Sequence, residues 1–347
     1  MARLESFARE LFTAAGMDAD KATTMAELLV LTDALGRRTH GLAMLPLYLA
    51  EIAKGTMTVR GEPEVVSERG VVALWDGGYL PGQWMVARAI DWALPRAAEQ
   101  GIAAVTVRRS HHIGCLAALC LRAVDKGFVA MIFNSDPAGA RVAPYGGCEA
   151  LFTPDPFAIG YPGTPNPVLV DICASITTTS MTRQKVAEGV AFDQPWLLDH
   201  EGKATTDPRV LEHSTPRGSL QLIGGLDHGH KGFGLALMVE ALSQGLAGYG
   251  RRDAPKRWGG NTFVQIIDPA LFAGREAFAQ QMDHFAARCR ANKPIDPAQP
   301  VRMPGDSAAR SLAGARQSGI AYDDTTWRAL AACAREHGIE IPEETTR

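Results

Sequence analysis

The sequence predicts an α/β protein with a helical unit formed by both ends of the chain. Two observations support this fold class. Short apolar runs alternate with helical patterns over residues 71–133, and that alternation is typical of an α/β core. The two ends of the 347-residue chain instead show helical periodicity. At roughly 100–200 residues per domain, the chain is long enough for two or three structural units.

The N-terminal region predicts three helices in succession. In the second, Met25, Leu29 and Thr32 recur at intervals of three and four residues, and Gly36 follows where a helix would end. Gly55 marks the end of the third helix in the same way. The predicted helices cover residues 3–15, 20–36 and 41–54.

The central region predicts buried strands that alternate with helices. Its apolar runs are bounded by Gly, Asp, Arg or Asn, as short strands usually are. Residues 233–246 are apolar nearly all round, which predicts a helix buried on several sides. The predicted strands are 71–75, 102–107 and 129–133, and the predicted helices are 83–100, 116–126 and 233–246.

Beyond about residue 270 the pattern becomes helical again, with one helix predicted over residues 324–337. We therefore expect three segments along the chain. These are a helical N-terminal segment (1–58), a central α/β domain (59–269) and a C-terminal helical segment (270–347) that packs with the first.

The composition argues against nucleic-acid and membrane partners. The chain has 35 Lys and Arg against 38 Asp and Glu, a formal charge of −3, and no apolar run near the ~20 residues needed to cross a bilayer. Its N-terminus lacks the pattern of a signal peptide, so we expect a cytoplasmic protein. Six scattered cysteines without CxxC spacing are expected to be free, reduced thiols.

The first candidate site is Thr39-His40-Gly41, between two predicted helices. Imidazole titrates near neutrality and an adjacent hydroxyl can hold the ring, so this pair suits a proton donor and the group that orients it. A histidine at a helix start is also typical of a capping or packing residue.

Two further segments precede predicted helices. Arg108–Gly114 follows a predicted strand, and Asp227–Gly232 combines glycines, histidines and a lysine. Free N–H groups at helix starts attract anions, so both segments are candidate phosphate-binding turns. The first could equally be a polar loop, and His228 with His230 could ligate a metal, although no zinc motif accompanies them.

Several standard signatures are absent from the sequence. There is no G-x-G-x-x-G, no G-x-x-x-x-G-K-[ST] and no G-x-S-x-G. A dinucleotide, if bound, would therefore not use the standard Rossmann turn, and the usual marks of NTPases and serine hydrolases are missing.

Taken together and in order, the motifs resemble the malate/L-lactate dehydrogenase family of NAD(P)-dependent oxidoreductases. Relatives include reductases of 2-keto acids, diketogulonate, sulfopyruvate and cyclic imino acids. The resemblance runs along nearly the whole chain. It rests on residues 39–43 with Leu45-Pro46, 81–83, 110–114, 142–147, 171–175, 230–237 and 303–305.

This resemblance implies a homodimer with a non-Rossmann dinucleotide-binding domain whose sheet is mixed or antiparallel. It also implies that His40 protonates a substrate C=O or C=N while NADH or NADPH supplies hydride, and that Thr39 orients the His40 ring. Either NAD or NADP could be the cofactor. The residues that match cofactor-contacting stretches of relatives are His112, Ile113, Gly114, Cys115, Leu116, Asp171, Ile172, Cys173, Thr179, Ser180, His228, Gly229, Lys231, Pro304 and Gly305.

Two substrate-side positions depart from the family pattern. Met44 stands where relatives usually carry an arginine that pairs with the substrate carboxylate, and methionine cannot make that ion pair. The sequence Thr-Pro-Asp-Pro around Pro154 replaces the usual Gly-Thr-Asn-Pro. Either the substrate differs from a simple 2-keto acid, or another arginine binds the carboxylate. The candidates are Arg37, Arg38, Arg109 and Arg141.

Two alternatives to a small-molecule reductase stay open from the sequence. One is a metal-dependent hydrolase or lyase that uses His111, Asp227, His228 and His230. The other is a catalytically silent nucleotide-binding homologue, which the loss of the arginine at position 44 suggests. We expect no bound metal.

Overall fold

The computed structural model describes residues 1–342. Its helices are α1 (Ala2–Ala14), α2 (Ala19–Ala34), α3 (Leu45–Ala53), α4 (Gly82–Gln100), α5 (Leu116–Val124), α6 (Thr179–Glu188), α7 (Arg209–Glu212), α8 (Gly225–Glu240), α9 (Arg275–Arg290), α10 (Asp306–Ser318) and α11 (Asp324–His337). Its strands are β1 (Glu64–Arg69), β2 (Val72–Asp76), β3 (Ile102–Ser110), β4 (Val129–Ser135), β5 (Pro156–Tyr161), β6 (Val168–Cys173), β7 (Leu197–Leu198), β8 (Ala204–Thr205), β9 (Ser219–Leu220) and β10 (Gly260–Ile267).

The main sheet has seven strands in the order β1-β2-β3-β10-β4-β5-β6. Only β2 and β3 run parallel, and the other neighbours pair antiparallel. Strand β10 lies between β3 and β4, where Val264 faces Val105 on one side and Ile132 on the other. This mixed sheet, with helices from both chain ends, confirms the predicted fold class.

The buried apolar residues form two large cores. Helices α4 and α5 pack on one face of the main sheet, where Met85, Ile90 and Leu119 are almost fully buried. The second core joins the ends of the chain, because Leu330 of α11 packs in the same cluster as Phe12 and other residues of the first three helices. A three-stranded sheet, ordered β8-β7-β9, packs separately beside α8.

The third predicted helix begins later than expected. Two short 3₁₀ turns, Arg38–His40 and Leu42–Met44, come first, and α3 begins at Leu45. Pro46 fits the first turn of α3, since its fixed φ suits that position and no N–H is needed there. The turns between α2 and α3 are therefore irregular backbone, and His40 lies at the end of the first.

The prediction for residues 233–246 is wrong in two respects. Helix α8 begins eight residues earlier, at Gly225, with a break in helical geometry at His228, and it continues into a π-helical turn at Ala241–Gly245. It is also not buried on several sides of the single chain, because the Leu237 and Leu246 side chains are 49% and 53% exposed. An all-round apolar pattern does not distinguish a face covered by the same chain from one left open.

Within residues 1–342, no helix is long and apolar enough to cross a membrane. All six cysteines are free, as expected.

Candidate active site

The first candidate residues lie together in the turn between α2 and α3. The Thr39 hydroxyl lies 2.9 Å from His40 Nδ1, within hydrogen-bond distance. The His40 backbone N–H donates to the Arg37 carbonyl, which closes the 3₁₀ turn. The hydroxyl is therefore placed to fix the rotation of the imidazole ring.

The buried Asp33 carboxylate is hydrogen-bonded to this turn. Asp33 is only 3% exposed, and its Oδ2 accepts hydrogen bonds from the Leu42 backbone N–H and the Tyr322 hydroxyl, both at 2.8 Å. Burial raises the pKa of Asp33 to about 6, although both hydrogen bonds act in the opposite direction. Gly41 lies directly against it, since a Cβ at Gly41 would lie 1.9 Å from Asp33 Oδ1.

The C-terminal segment also reaches this turn. Besides the Tyr322 hydroxyl on Asp33, the Arg38 guanidinium donates a hydrogen bond to the Ala321 carbonyl. Residues more than 280 positions away in sequence thus hold the backbone next to His40.

His40 is the outer ring of an aromatic stack. Its centroid lies 5.9 Å from that of His112 with 27° between the planes, and Trp258 stacks on His112 at 5.0 Å. Tyr48, which is fully buried, places its hydroxyl 2.7 Å from His112 Nδ1. Gln83 in turn donates to the Tyr48 hydroxyl at 3.4 Å.

The surroundings of both imidazoles disfavour the protonated form. Burial lowers the pKa of His40, the positive charge of Arg37 lowers it further, and the negative charge of Asp171 acts in the opposite direction. Burial also holds the pKa of His112 well below its usual range. An anionic ligand beside His40 would raise the pKa of His40 again, so proton uptake there is coupled to ligand charge.

Predicted cofactor residues meet where α5 begins and β6 ends. Asp171 Oδ2 accepts a hydrogen bond from the Ala117 backbone N–H at 2.9 Å, and the Cys115 thiol lies 3.6 Å from the same oxygen. Ile113 and Leu116 are buried, whereas Ile172 is 40% exposed. Cys173 has a thiol pKa raised to about 12 by burial, so it stays protonated.

Gly114 has φ +71°, and a Cβ there would lie 2.3 Å from the Gln83 side chain. The turn after β3 can therefore pass this close to α4 only with glycine at position 114.

The other predicted cofactor residues form two neighbouring groups. Gly305, at φ +103°, packs its turn against the Pro167 carbonyl, and the Pro304 carbonyl accepts from the Leu169 N–H at the start of β6. Just beyond the other end of β6, Gly232, the neighbour of Lys231 on α8, lies against the backbone of Ala174. The described contacts thus connect these groups to β6, and none joins His40 directly to residues 228–232.

Two groups of predicted cofactor residues mark the starts of α6 and of the regular part of α8. Thr179 and Ser180 open α6, whose Thr178 hydroxyl caps the Met181 N–H. His228 and Lys231 are exposed, and Gly229 lies against the Tyr145 ring. Glycine turns with open helix starts beside a basic residue fit an anionic dinucleotide.

The substrate-side candidates are spread more widely. Met44 is partly buried and packs against the helical core, and the Pro154 carbonyl accepts from the Ala174 N–H. The next residue, Asp155, is fully buried with its Oδ2 unpartnered among the described residues. Burial and the nearby Glu240 carboxylate raise the pKa of Asp155 well above its usual range.

The four arginine candidates have different surroundings. Arg109 pairs with Asp76 through its Nε at 2.9 Å, and Arg38 bonds to the Ala321 carbonyl. Arg141 is half-buried beside the small sheet. Burial lowers its pKa, the negative charge of Glu212 raises it, and two further arginines lower it. Arg37 is exposed and has no ion pair within residues 1–342, and its charge acts on His40.

The residues of the metal hypothesis do not form one site. His111 is buried against Trp258 with Glu51 at 3.9 Å, whereas His228 and His230 lie on α8 rather than on a strand. Within the described chain, no three His, Cys, Asp or Glu side chains are grouped to hold a metal ion.

Four residues of this site were missed from the sequence. Asp33 lies on the apolar stripe of α2, and an acidic residue at such a position is a signal that could have found it. Tyr48 and Trp258 carry no local signal, because only the fold brings them to His112. Gln83 lies in the stretch 81–83 that matches the family, but that match gave it no role.

The structure combines a mixed sheet that lacks the Rossmann turn with a histidine held by a threonine and with glycine turns at helix starts. Residues 1–331 match the family model described as malate/L-lactate dehydrogenase. The chain belongs to this family, and it is an NAD(P)-dependent dehydrogenase of that family. The family model and the relatives below carry the names of malate, L-lactate and hydroxycarboxylate dehydrogenases.

Individual relatives are similar to this chain over nearly their full length. The chain is 31% identical over 350 residues to hydroxycarboxylate dehydrogenase B of Escherichia coli, covering 99% of this chain and 94% of the relative. It is 29% identical over 342 residues to an L-lactate dehydrogenase of Cupriavidus necator, covering 96% of each. The malate dehydrogenase structure from Entamoeba histolytica superposes with a TM-score of 0.93 at 22% identity, over 99% and 98% of the two chains, and shows the shared fold.

Proposed function

We propose that the protein is an NAD(P)H-dependent reductase of the C=O or C=N group of a small polar substrate, a 2-keto acid or a cyclic imino acid. His40 acts as the proton donor. The observation that carries this proposal is the His40 ring, which is held by Thr39 and stacked on His112 beside the Asp171 end of β6.

In this proposal Thr39 orients the ring and His40 transfers its proton to the substrate oxygen or nitrogen. The bound nicotinamide supplies the hydride, and the turns around residues 112–116, 171–173, 179–180, 228–231 and 304–305 hold the dinucleotide. A positioned acid of this kind contributes roughly 10²–10⁴ in rate. The negative charge of a 2-keto acid would help His40 to take up the proton that it then donates.

We further propose that Arg37 binds the substrate carboxylate in place of the arginine that Met44 has replaced. Of the four candidates, Arg37 is the one whose charge acts on His40 and that lacks an ion pair within residues 1–342. A planar guanidinium can hold a carboxylate through two parallel hydrogen bonds.

The test begins with fluorescence titration of NADH and NADPH, followed by turnover of a panel of 2-keto and cyclic imino acids. We expect at least one nucleotide to bind. His40→Ala should lose roughly 10²–10⁴ in kcat while it retains cofactor affinity. The exposed His200 provides the control substitution His200→Ala, which should change neither.

Two outcomes would contradict the proposal. One is the absence of nucleotide binding at millimolar concentration. The other is full activity of His40→Ala. Nucleotide binding without turnover across the panel would favour a silent homologue.

We also propose a cytoplasmic homodimer. The face of α8 that carries Leu226, Leu237 and Met238, with Leu246 after it, exposes large apolar side chains, and a second copy of the chain is the occupant that the family resemblance implies. Light scattering after gel filtration should give twice the mass of 37.2 kDa. Leu237→Glu should reduce it to the monomer mass, and a monomeric wild-type protein would refute the proposal.

A further inference from the structure

One ring nitrogen of His112 is hydrogen-bonded to a buried side chain, and the other has no hydrogen-bond partner among the described residues. Its Nδ1 lies 2.7 Å from the hydroxyl of Tyr48, which is fully buried. Its Nε2 has no hydrogen-bond partner within residues 1–342, and it is not among the atoms sealed from solvent. The two nitrogens point to roughly opposite edges of the ring, so Nε2 is directed away from Tyr48.

The contacts around Tyr48 decide which nitrogen carries the proton. A phenol is a much better proton donor than a neutral imidazole N–H, and the imidazole nitrogen is a strong acceptor. The separation of 2.7 Å is typical of an O–H donor. Gln83 donates to the Tyr48 oxygen from the other side, which leaves the phenol proton for His112.

We propose that Tyr48 is a positioning residue that fixes His112 as the Nε2–H tautomer, and that this N–H donates a hydrogen bond to the carboxylate of the bound substrate. This inference rests on the proposed function. His40 then protonates the group being reduced, and His112 donates to one oxygen of the neighbouring carboxylate, which leaves the other oxygen for Arg37.

The stack keeps this donor in place. His112 lies between His40 and Trp258, with 27° and 28° between the planes, so the ring cannot rotate without losing both contacts. A neutral donor also differs from an arginine in one respect. It adds a second contact to the carboxylate beside that of Arg37 without a further positive charge that would disfavour protonation of His40.

The first measurement does not need turnover. Nitrogen NMR shifts of histidine-labelled protein should show an unprotonated Nδ1 and a protonated Nε2 for His112, assigned by their loss in His112→Leu. Tyr48→Phe should replace this with a tautomer mixture, whereas Tyr161→Phe should not. Tyr161, at the end of β5, serves as the control. It packs edge-on against Phe278 of α9 and makes no side-chain hydrogen bond among the described residues.

The second measurement uses a pair of amide substitutions. In His112→Gln the side-chain N–H₂ stands near the former Nε2, and in His112→Asn it stands near the former Nδ1. We expect KM for the carboxylate substrate to rise roughly tenfold to hundredfold in His112→Asn and His112→Leu, and less than fivefold in His112→Gln. Tyr48→Phe should raise KM about fivefold with unchanged cofactor affinity. Because His112 is also a predicted cofactor residue, the KM values of its three variants are compared at saturating nucleotide.

Three results would overturn the inference: an Nδ1–H tautomer in the wild-type protein, an unchanged tautomer in Tyr48→Phe, or equal KM values for His112→Gln and His112→Asn. These failures differ from failure of the proposed function. An inactive wild-type enzyme would remove the assigned reaction, whereas an active enzyme with the wrong tautomer would remove only the role of Tyr48.

Discussion

Replacing Gly41 with alanine tests how tightly the His40 turn is supported. The added Cβ would lie 1.9 Å from Asp33 Oδ1 and 2.2 Å from its Cγ, against an ordinary contact of 3.4 Å or more. Either Asp33 or the turn must therefore move by about 1.5 Å. A shift of that size breaks the 2.8 Å hydrogen bonds to Leu42 and Tyr322.

The expected cost follows from these contacts. Overpacking a buried position costs about 1–3 kcal/mol, and a hydrogen bond to a charged group contributes about 1.5–3 kcal/mol. We expect Gly41→Ala to lower the free energy of unfolding by about 2–5 kcal/mol. Displacing a proton donor by about 1 Å can cost roughly a hundredfold in rate, so kcat/KM should fall by about that factor.

Urea unfolding and steady-state kinetics measure the two effects separately. Gly314→Ala is the matched control, because Gly314 lies exposed on α10 with no atom within 4 Å of the added Cβ. It should keep wild-type activity and equal or greater stability. The reasoning is wrong if Gly41→Ala matches this control in both measurements.

Three further predictions concern charged groups. Because the pKa of Asp33 is about 6 in the folded protein against 3.8 for the free side chain, folding binds a proton and stability should fall by up to about 3 kcal/mol as pH rises from about 4 to 6. Unfolding midpoints of Asp33→Asn should show a shallower slope over this range, and an equal slope would contradict the assignment. Arg37→Gln should raise KM for a 2-keto acid about tenfold and Arg38→Gln less than threefold, and equal effects would exclude Arg37 as the carboxylate anchor. Asp155→Asn should become more stable than the wild type as pH rises, because the raised pKa of Asp155 makes its ionisation in the folded protein unfavourable while the amide stays neutral, and a difference in melting temperature that does not change with pH would refute this.

Local patterns were sufficient for much of the fold. The strand–helix alternation over residues 71–133 corresponds to β2 through β4, because periodicity and flanking turn residues are encoded within each segment. Strand β10 was not predicted. Its place between β3 and β4 depends on pairing with segments more than 100 residues away, which no local pattern records.

The candidate site divides in the same way. His40 with Thr39 is a short contiguous motif, and its hydrogen bond joins adjacent residues. The partners of His112 come from distant parts of the sequence: Tyr48 lies on α3 and Trp258 in a loop. The sequence around each does not distinguish Tyr48 from other core aromatic residues or Trp258 from other loop residues. The exposed face of α8 could not be inferred either, since the sequence records that a residue is apolar and not what covers it.

The bonds from Tyr322 and Ala321 to the turn beside His40 have a consequence for protein synthesis. A ribosome adds these residues after every strand of the main sheet, so that the sheet can fold before they are made. The nascent chain can therefore have a folded sheet while the segment that carries its proton donor still lacks two of its supports. Products of premature termination before position 321 should be folded in part and inactive.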